Sequence, residues 1–259
     1  MGEGWYHCKD CRKKFTALVG TVCERSHIPL TKWLLAMHLM CASKKGISAH
    51  QLHRMLGVTY KSAWFMAHRI REAMRELNPT GPLGGEGKTV EIDETYVGGR
   101  EKNKHASKRT SATGGMGKEI VLSLVEREGK VRSHHIPNVT AKTLRPILEA
   151  QIDAASAVYT DDGGSRVARE FPGHASVNHS IGEYVRGEVH SNTVEGYFSI
   201  FKRGVMGTYH HVSQKHLKRY LGEFDFRYNE RTALEVTDAE RAKKALAGVV
   251  GKRIMYQVH

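Results

Sequence analysis

The chain has 259 residues, 40% of them hydrophobic and 26% charged, which is enough for a folded soluble protein with one large domain and a small one. Its 40 Lys and Arg against 27 Asp and Glu leave a formal charge of +13, which favours a polyanionic partner, nucleic acid ahead of an anionic membrane surface. No apolar run approaches the roughly 18 residues of a membrane span, and the start, MGEGWYHCKDCRKKF, lacks the apolar core of a secretory signal, so the expected compartment is the cytoplasm, with no membrane partner.

Residues 1–28 are rich in Cys and Lys. Cys8 and Cys11 form a CxxC pair at metal-ligand spacing, but tetrahedral zinc needs four ligands and a second CxxC is absent. The pair reads as half of a zinc ribbon, and an unliganded knuckle is expected over bound zinc. Residues 29–78 read as helical. Pro29 and Thr31 open a first helix that Gly46 ends. Ser48 and Gln51 match a capping box for a second. Gly57-Val58-Thr59 then turns into a third helix running from Tyr60 toward Leu77, so the two are laid out as a helix-turn-helix. That helix is expected to carry Tyr60, Lys61, His68, Arg69 and Arg71 toward DNA, with Trp64 and Phe65 packed inward. Phosphate contact by Lys61 or Arg69 is easier to defend than base readout.

The Pro- and Gly-rich stretch 78–88 is a breaker and marks a domain boundary. Residues 88–235 read as mixed α/β, and residues 236–259 as a C-terminal tail. Strands are expected at 88–97, 119–126 and 130–136, the first from its alternation of apolar and polar residues. A helix at 140–154, a short strand at 157–160, a helix through 167–171, a strand at 175–178 and helices at 192–203 and 213–231 complete the order. Three strands, a helix and a fourth strand, with acids on strands one and four, is the order of an RNase H-like mixed sheet flanked by helices. Residues 100–118 read as an exposed basic loop offering Lys104, Lys108 and Arg109 to DNA. Tyr220, Phe224 and Tyr228, four apart on a helix, read as core, and Tyr209, His210 and His211 as a polar loop.

Breaking or joining a phosphodiester needs a nucleophilic oxygen, a stabilised leaving oxygen and neutralised phosphate charge, which two Mg²⁺ ions supply together. Mg²⁺ prefers carboxylate oxygen, so the protein must bring acids from rigid elements to one spot. Asp93 lies within an apolar strand, where an unpaired acid is costly. Asp161 ends a strand, where α/β sheets collect ligands. Glu195 lies on a helix whose apolar face is Val194, Phe198 and Phe201. Asn192 and Lys202 share its face at spacings of three and seven. Glu94 is set aside as facing away from Asp93, and Asp162 as a capping residue.

The segments CKDCRKKFTALVGTVCERSHIPLTKW, EIDETYVGG, VYTDDGGS and EVHSNTVEGYFSIFKRGVMGTYHHVSQKHLKRYLGEFDFRYN, between Tyr6 and Arg231, resemble insertion-sequence transposases of the DDE class with an ISXO2-like transposase domain. The resemblance implies DNA strand cleavage and strand transfer with two Mg²⁺, or Mn²⁺, held by an acid triad at Asp93, Asp161 and Glu195. It implies a downstream basic residue at Lys202, with Arg203 beside it at the DNA. Some relatives use Asn as the third group, which leaves open whether Asn192 or Glu195 serves. Family members carry a further CxxC ahead of the pair at Cys8 and Cys11, so a truncated ribbon is expected and bound Zn²⁺ is not. Double-stranded DNA (terminal repeats and target), a homo-oligomer and a nucleoid-associated location are the implied context. A catalytically dead, sequence-specific DNA-binding relic is the alternative, and an RNase H-type nuclease without transfer is a third.

Overall fold

The computed structural model describes residues 4–77, 79–99, 105, 107, 117–161 and 167–254. Lys104, Lys108, Arg109 and Asp162 lie outside the described residues. The chain forms two compact units, one of residues 1–75 with 235–259 and one of residues 76–234.

In the first unit β1 (Trp5–His7) and β2 (Lys14–Thr16) pair antiparallel, and the Tyr6 and Phe15 rings stack at 5.6 Å. The turn between them carries Cys8 and Cys11. Helices α1 (Leu30–Ala42), α2 (Ala49–Leu56) and α3 (Tyr60–Met74) follow. Ser48 Oγ accepts the Gln51 N–H at 3.1 Å, one half of the reciprocal pair the sequence suggests. Gly57 closes α2 in the left-handed region, at φ 59°, and Thr59 Oγ1 caps α3 by accepting the Ser62 N–H at 3.2 Å.

Two expectations for this unit change. Arg69 does not face solvent. It is buried; its Nη1 donates to the Glu24 carbonyl at 2.9 Å, Nη2 donates to the Ile254 carbonyl at 3.4 Å, and the guanidinium lies 4.6 Å from the Phe65 ring. His68 and Arg71 are buried as well, whereas Trp64 and Phe65 are only half-buried. The reason is the C-terminal segment. It forms α7 (Asp238–Ala247), which packs on α1 and α3 and covers surface that an isolated helical hairpin would expose.

In the second unit β3 (Thr89–Val97), β4 (Glu119–Glu126), β5 (Val131–Ile136), β6 (Ala157–Asp161) and β7 (Gly173–Val177) form one mixed sheet in the order β5-β4-β3-β6-β7. The first three strands are antiparallel, while β6 and β7 run parallel to β3. A parallel return needs a crossover, and α4 (Ala141–Gln151) supplies it. Leu144 and Leu148 of α4 bury against Val90, Ile92, Leu122 and Leu124 on one face. Helices α5 (Asn192–Gly204) and α6 (Gln214–Asn229) cover the other, where Val194, Phe198, Phe201 and Phe224 meet Val97, Val121 and Val125. This is the expected α/β, RNase H-like architecture. Asp225 of α6 accepts from the Tyr197 hydroxyl at 2.5 Å and the Ser133 hydroxyl at 2.7 Å, tying both helices to β5. Tyr220 and Phe224 are buried core residues, as their spacing suggests.

A five-residue π-helix, Val205–Tyr209, extends α5 where a plain loop is expected, and His210 after it sits at φ 60°. Tyr209 turns inward, its hydroxyl donating to Glu223 at 2.7 Å.

Candidate functional site

Alternation along β3 sorts its side chains. Val90 and Ile92 join the α4 core, so Glu94 follows them, while Glu91, Asp93, Thr95 and Val97 face α5 and α6. Asp93 therefore looks into the layer that carries Glu195. Asp161 ends β6, one step beyond the Ile92–Thr160 register pair, and so stands beside Asp93 on the neighbouring parallel strand. Glu195 occupies the first turn of α5, with its side chain 48% exposed and its Oε1 accepting from the Ser191 hydroxyl at 3.2 Å. His179 joins the two outer acids: its Nδ1 is 3.5 Å from Asp161 and 3.7 Å from Glu195.

The electrostatics record the convergence. Burial first, then the negative charges of Glu94, Asp161 and Glu195, push the Asp93 carboxyl up to about 7, although it accepts the Glu94 N–H at 2.8 Å. Burial, with Asp161 adding, raises Glu94 too.

The donor set suits a hard divalent cation, since all three groups are carboxylates and bound positive charge would relieve the repulsion that raises Asp93. Among the described residues no three His, Cys, Asp or Glu side chains already sit close enough together to hold a metal. The exposed Glu195 side chain has the freedom to close on an ion.

Asn192 and Lys202 are exposed on α5, with Lys202 Nζ 6.0 Å from the Phe198 ring. Arg203 is exposed and donates to Ser199 Oγ at 2.7 Å. Lys202 borders a cavity of about 610 Å³ that Tyr96, Val97, Phe201, Val205 and His211 also line. In the other unit Lys61 is exposed at the start of α3. Cys8 and Cys11 remain free thiols, and hydrogen bonds from Cys11 hold the Cys8 thiol below its usual value.

Sequence reading missed His179 and Glu91. His179 lies in a one-turn 3₁₀ segment after β7, a position with no motif to announce it. Glu91 is fully buried between β3 and α5. The only sequence signal is an acid within a run of apolar strand residues, and that signal points equally to Asp93.

The chain is 34% identical over 242 residues to an uncharacterized protein in transposable element ISH50 of Halobacterium salinarum (strain ATCC 700922 / JCM 11081 / NRC-1), covering 86% of this chain and 77% of that protein. Among solved structures it is similar to a chain in the cryoEM structure of the simian T-cell lymphotropic virus intasome in complex with PP2A regulatory subunit B56 gamma, at 16% identity and a TM-score of 0.31, over 67% of this chain and 63% of that one. Residues 82–229, which span the whole sheet with α4, α5 and α6, match the model of the ISXO2-like transposase domain, and the chain belongs to that family.

Proposed function

We propose that the chain is the catalytic transposase of an insertion sequence, cleaving DNA strands at the element's ends and transferring them to target DNA. The observation that carries this reading is the convergence of acids from three elements: Asp93 on β3 faces α5, Asp161 ends the neighbouring β6, and Glu195 stands in the first turn of α5, with His179 Nδ1 3.5 Å from Asp161 and 3.7 Å from Glu195. Asp93, Asp161 and Glu195 are the catalytic carboxylates and would hold two Mg²⁺, or Mn²⁺. When bound, the ions supply an activated nucleophile for in-line attack and charge stabilisation at the leaving 3′-oxygen.

The chain's own groups do the rest. Asp93 is held against β3 by the Glu94 N–H, so its free oxygen has a set direction. His179 keeps Asp161 and Glu195 beside each other. Lys202 and Arg203, two turns along α5, take the DNA backbone, and Lys61 takes phosphate in the other unit. Asn192 lies one turn before Glu195 and orients the same strand by hydrogen bonding. Because two element ends must be held together, the working form is a homo-oligomer on double-stranded DNA. The charge of +13 supports that partner. Among the described residues no helix is long and apolar enough to cross a membrane.

The test uses DNA carrying the element's terminal repeats. Asp93→Ala, Asp161→Ala and Glu195→Gln are each expected to abolish Mg²⁺-dependent nicking while DNA binding stays within a few-fold of wild type. Full cleavage by any one of them removes that residue from the site. A wild-type chain that binds the repeats but never nicks them would make it a DNA-binding relic. Cleavage without joining of a precleaved end would make it a nuclease.

A further inference from the structure

We propose that Glu91 is a positioning residue for the acid site: its buried carboxylate fastens the first turn of α5 to β3 and so sets where Glu195 stands relative to Asp93. This rests on the proposed catalytic role of those two acids.

Glu91 is 0% exposed, and a buried carboxylate persists only when its oxygens are satisfied. Its partners come from two places, the first turn of α5 and Arg127. Oε2 accepts the backbone N–H groups of Thr193 at 2.8 Å and Val194 at 3.0 Å. Oε1 accepts the Thr193 hydroxyl at 2.8 Å and Arg127 Nε at 2.7 Å. The same Arg127 guanidinium donates to the carbonyls of Glu188 at 3.0 Å and His190 at 3.1 Å, pinning the loop that enters α5.

The start of a helix leaves N–H groups without partners inside the helix, and a side chain at the N-cap ordinarily takes one of them. Ser191, the residue at that place in α5, makes no capping bond. Its hydroxyl donates to Glu195 instead, at 3.2 Å. The cap is supplied by Glu91, about a hundred positions earlier in the chain, and a negative charge there also suits the helix dipole.

Two consequences follow from the geometry. Glu91 is two residues before Asp93 on the same strand face, about 7 Å along the strand. Val194, which it grips, is the residue immediately before Glu195. One side chain therefore links the strand of the first acid to the helix turn of the third. With both oxygens already engaged, Glu91 is a support for the site and not a fourth acid in it.

The test compares full-length wild type with Glu91→Gln, Thr193→Val and Thr193→Ser. The readouts are amide hydrogen exchange, Mn²⁺ binding followed by electron paramagnetic resonance with the metal alone, and strand cleavage. In folded Glu91→Gln, exchange at the Thr193 and Val194 amides should rise by about tenfold while later turns of α5 keep their protection. Mn²⁺ affinity and cleavage should each fall by about tenfold or more. Thr193→Val should show a smaller change of the same kind, and Thr193→Ser, which keeps the hydroxyl, should match wild type.

Unchanged exchange and Mn²⁺ affinity in folded Glu91→Gln would overturn the proposal. If Glu91→Gln does not fold, Thr193→Val and Arg127→Lys carry the same test. Failure of all three to fold would make Glu91 a folding determinant and also overturn the positioning role. A wild-type chain that never cleaves sinks the catalytic reading, while the exchange and Mn²⁺ measurements still decide the role of Glu91.

Discussion

At the scale of single residues, Asp93 and Glu91 show how two acids on one strand face come to different ends. Glu91 meets four donors, so both its oxygens are satisfied. Asp93 meets one N–H and several carboxylates, so its ionised form is disfavoured in the folded chain. An unfolded Asp titrates near 4, whereas folded Asp93 titrates at about 7. The folded state thus holds this proton more tightly. The resulting stability is present at low pH and is lost as pH rises from the unfolded value through about 7. In EDTA at pH 8, Asp93→Asn should therefore melt several degrees above wild type. Near pH 4 the two should melt together, and an equal gap at both pH values would refute the assignment. Saturating Mg²⁺ should reverse the order at pH 8, because only the carboxylate gains from bound cation. The acids of the proposed triad were legible as residue types at meaningful places. Glu91 was not, because its identity as a cap exists only once residues 191–194 are folded against it.

At the scale of elements, periodicity carried most of the fold. Alternation in residues 89–97 and the apolar stripe of α5 are local properties that survive into the structure because each buries one face. The extent of α3 and the exposure of its basic residues were not local properties. Arg69 reads as a surface cation until the segments carrying Glu24 and Ile254 fold against it, and residues 236–259 read as a tail although they hold α7. Its start is strongly specified nonetheless: Thr237 and Glu240 form a complete capping box. Its end is fixed by close approach, since a Cβ on Gly248 would stand 2.2 Å from the Ala73 carbonyl oxygen. Gly248→Ala should therefore destabilise the first unit by about 1–3 kcal/mol. Thr237→Ala should cost about 1 kcal/mol. Chemical denaturation followed through Trp33, a buried residue of this unit, would measure both. A neutral Gly248→Ala would mean that α7 is not held where the structure has it.

At the scale of the whole molecule, the charge of +13 is the property with the most direct consequence. If binding neutralises about six phosphates, DNA affinity should drop by about a thousandfold between 50 and 200 mM salt. Lys202→Ala should weaken binding to all sequences alike and reduce the salt slope by about one unit. A sequence-selective loss would instead place Lys202 at a base edge. The sequence by itself determined the charge, the order of strands and helices within the second unit, and which acids fall on strand one, strand four and the late helix, because these depend on residue type and short-range periodicity. Only the tertiary structure decided that Arg69 is buried, that His179 bridges two acids, and that Glu91 caps α5. Each of these depends on a partner far away in the chain, and the energy of a buried charge is set by what surrounds it and not by its neighbours in sequence.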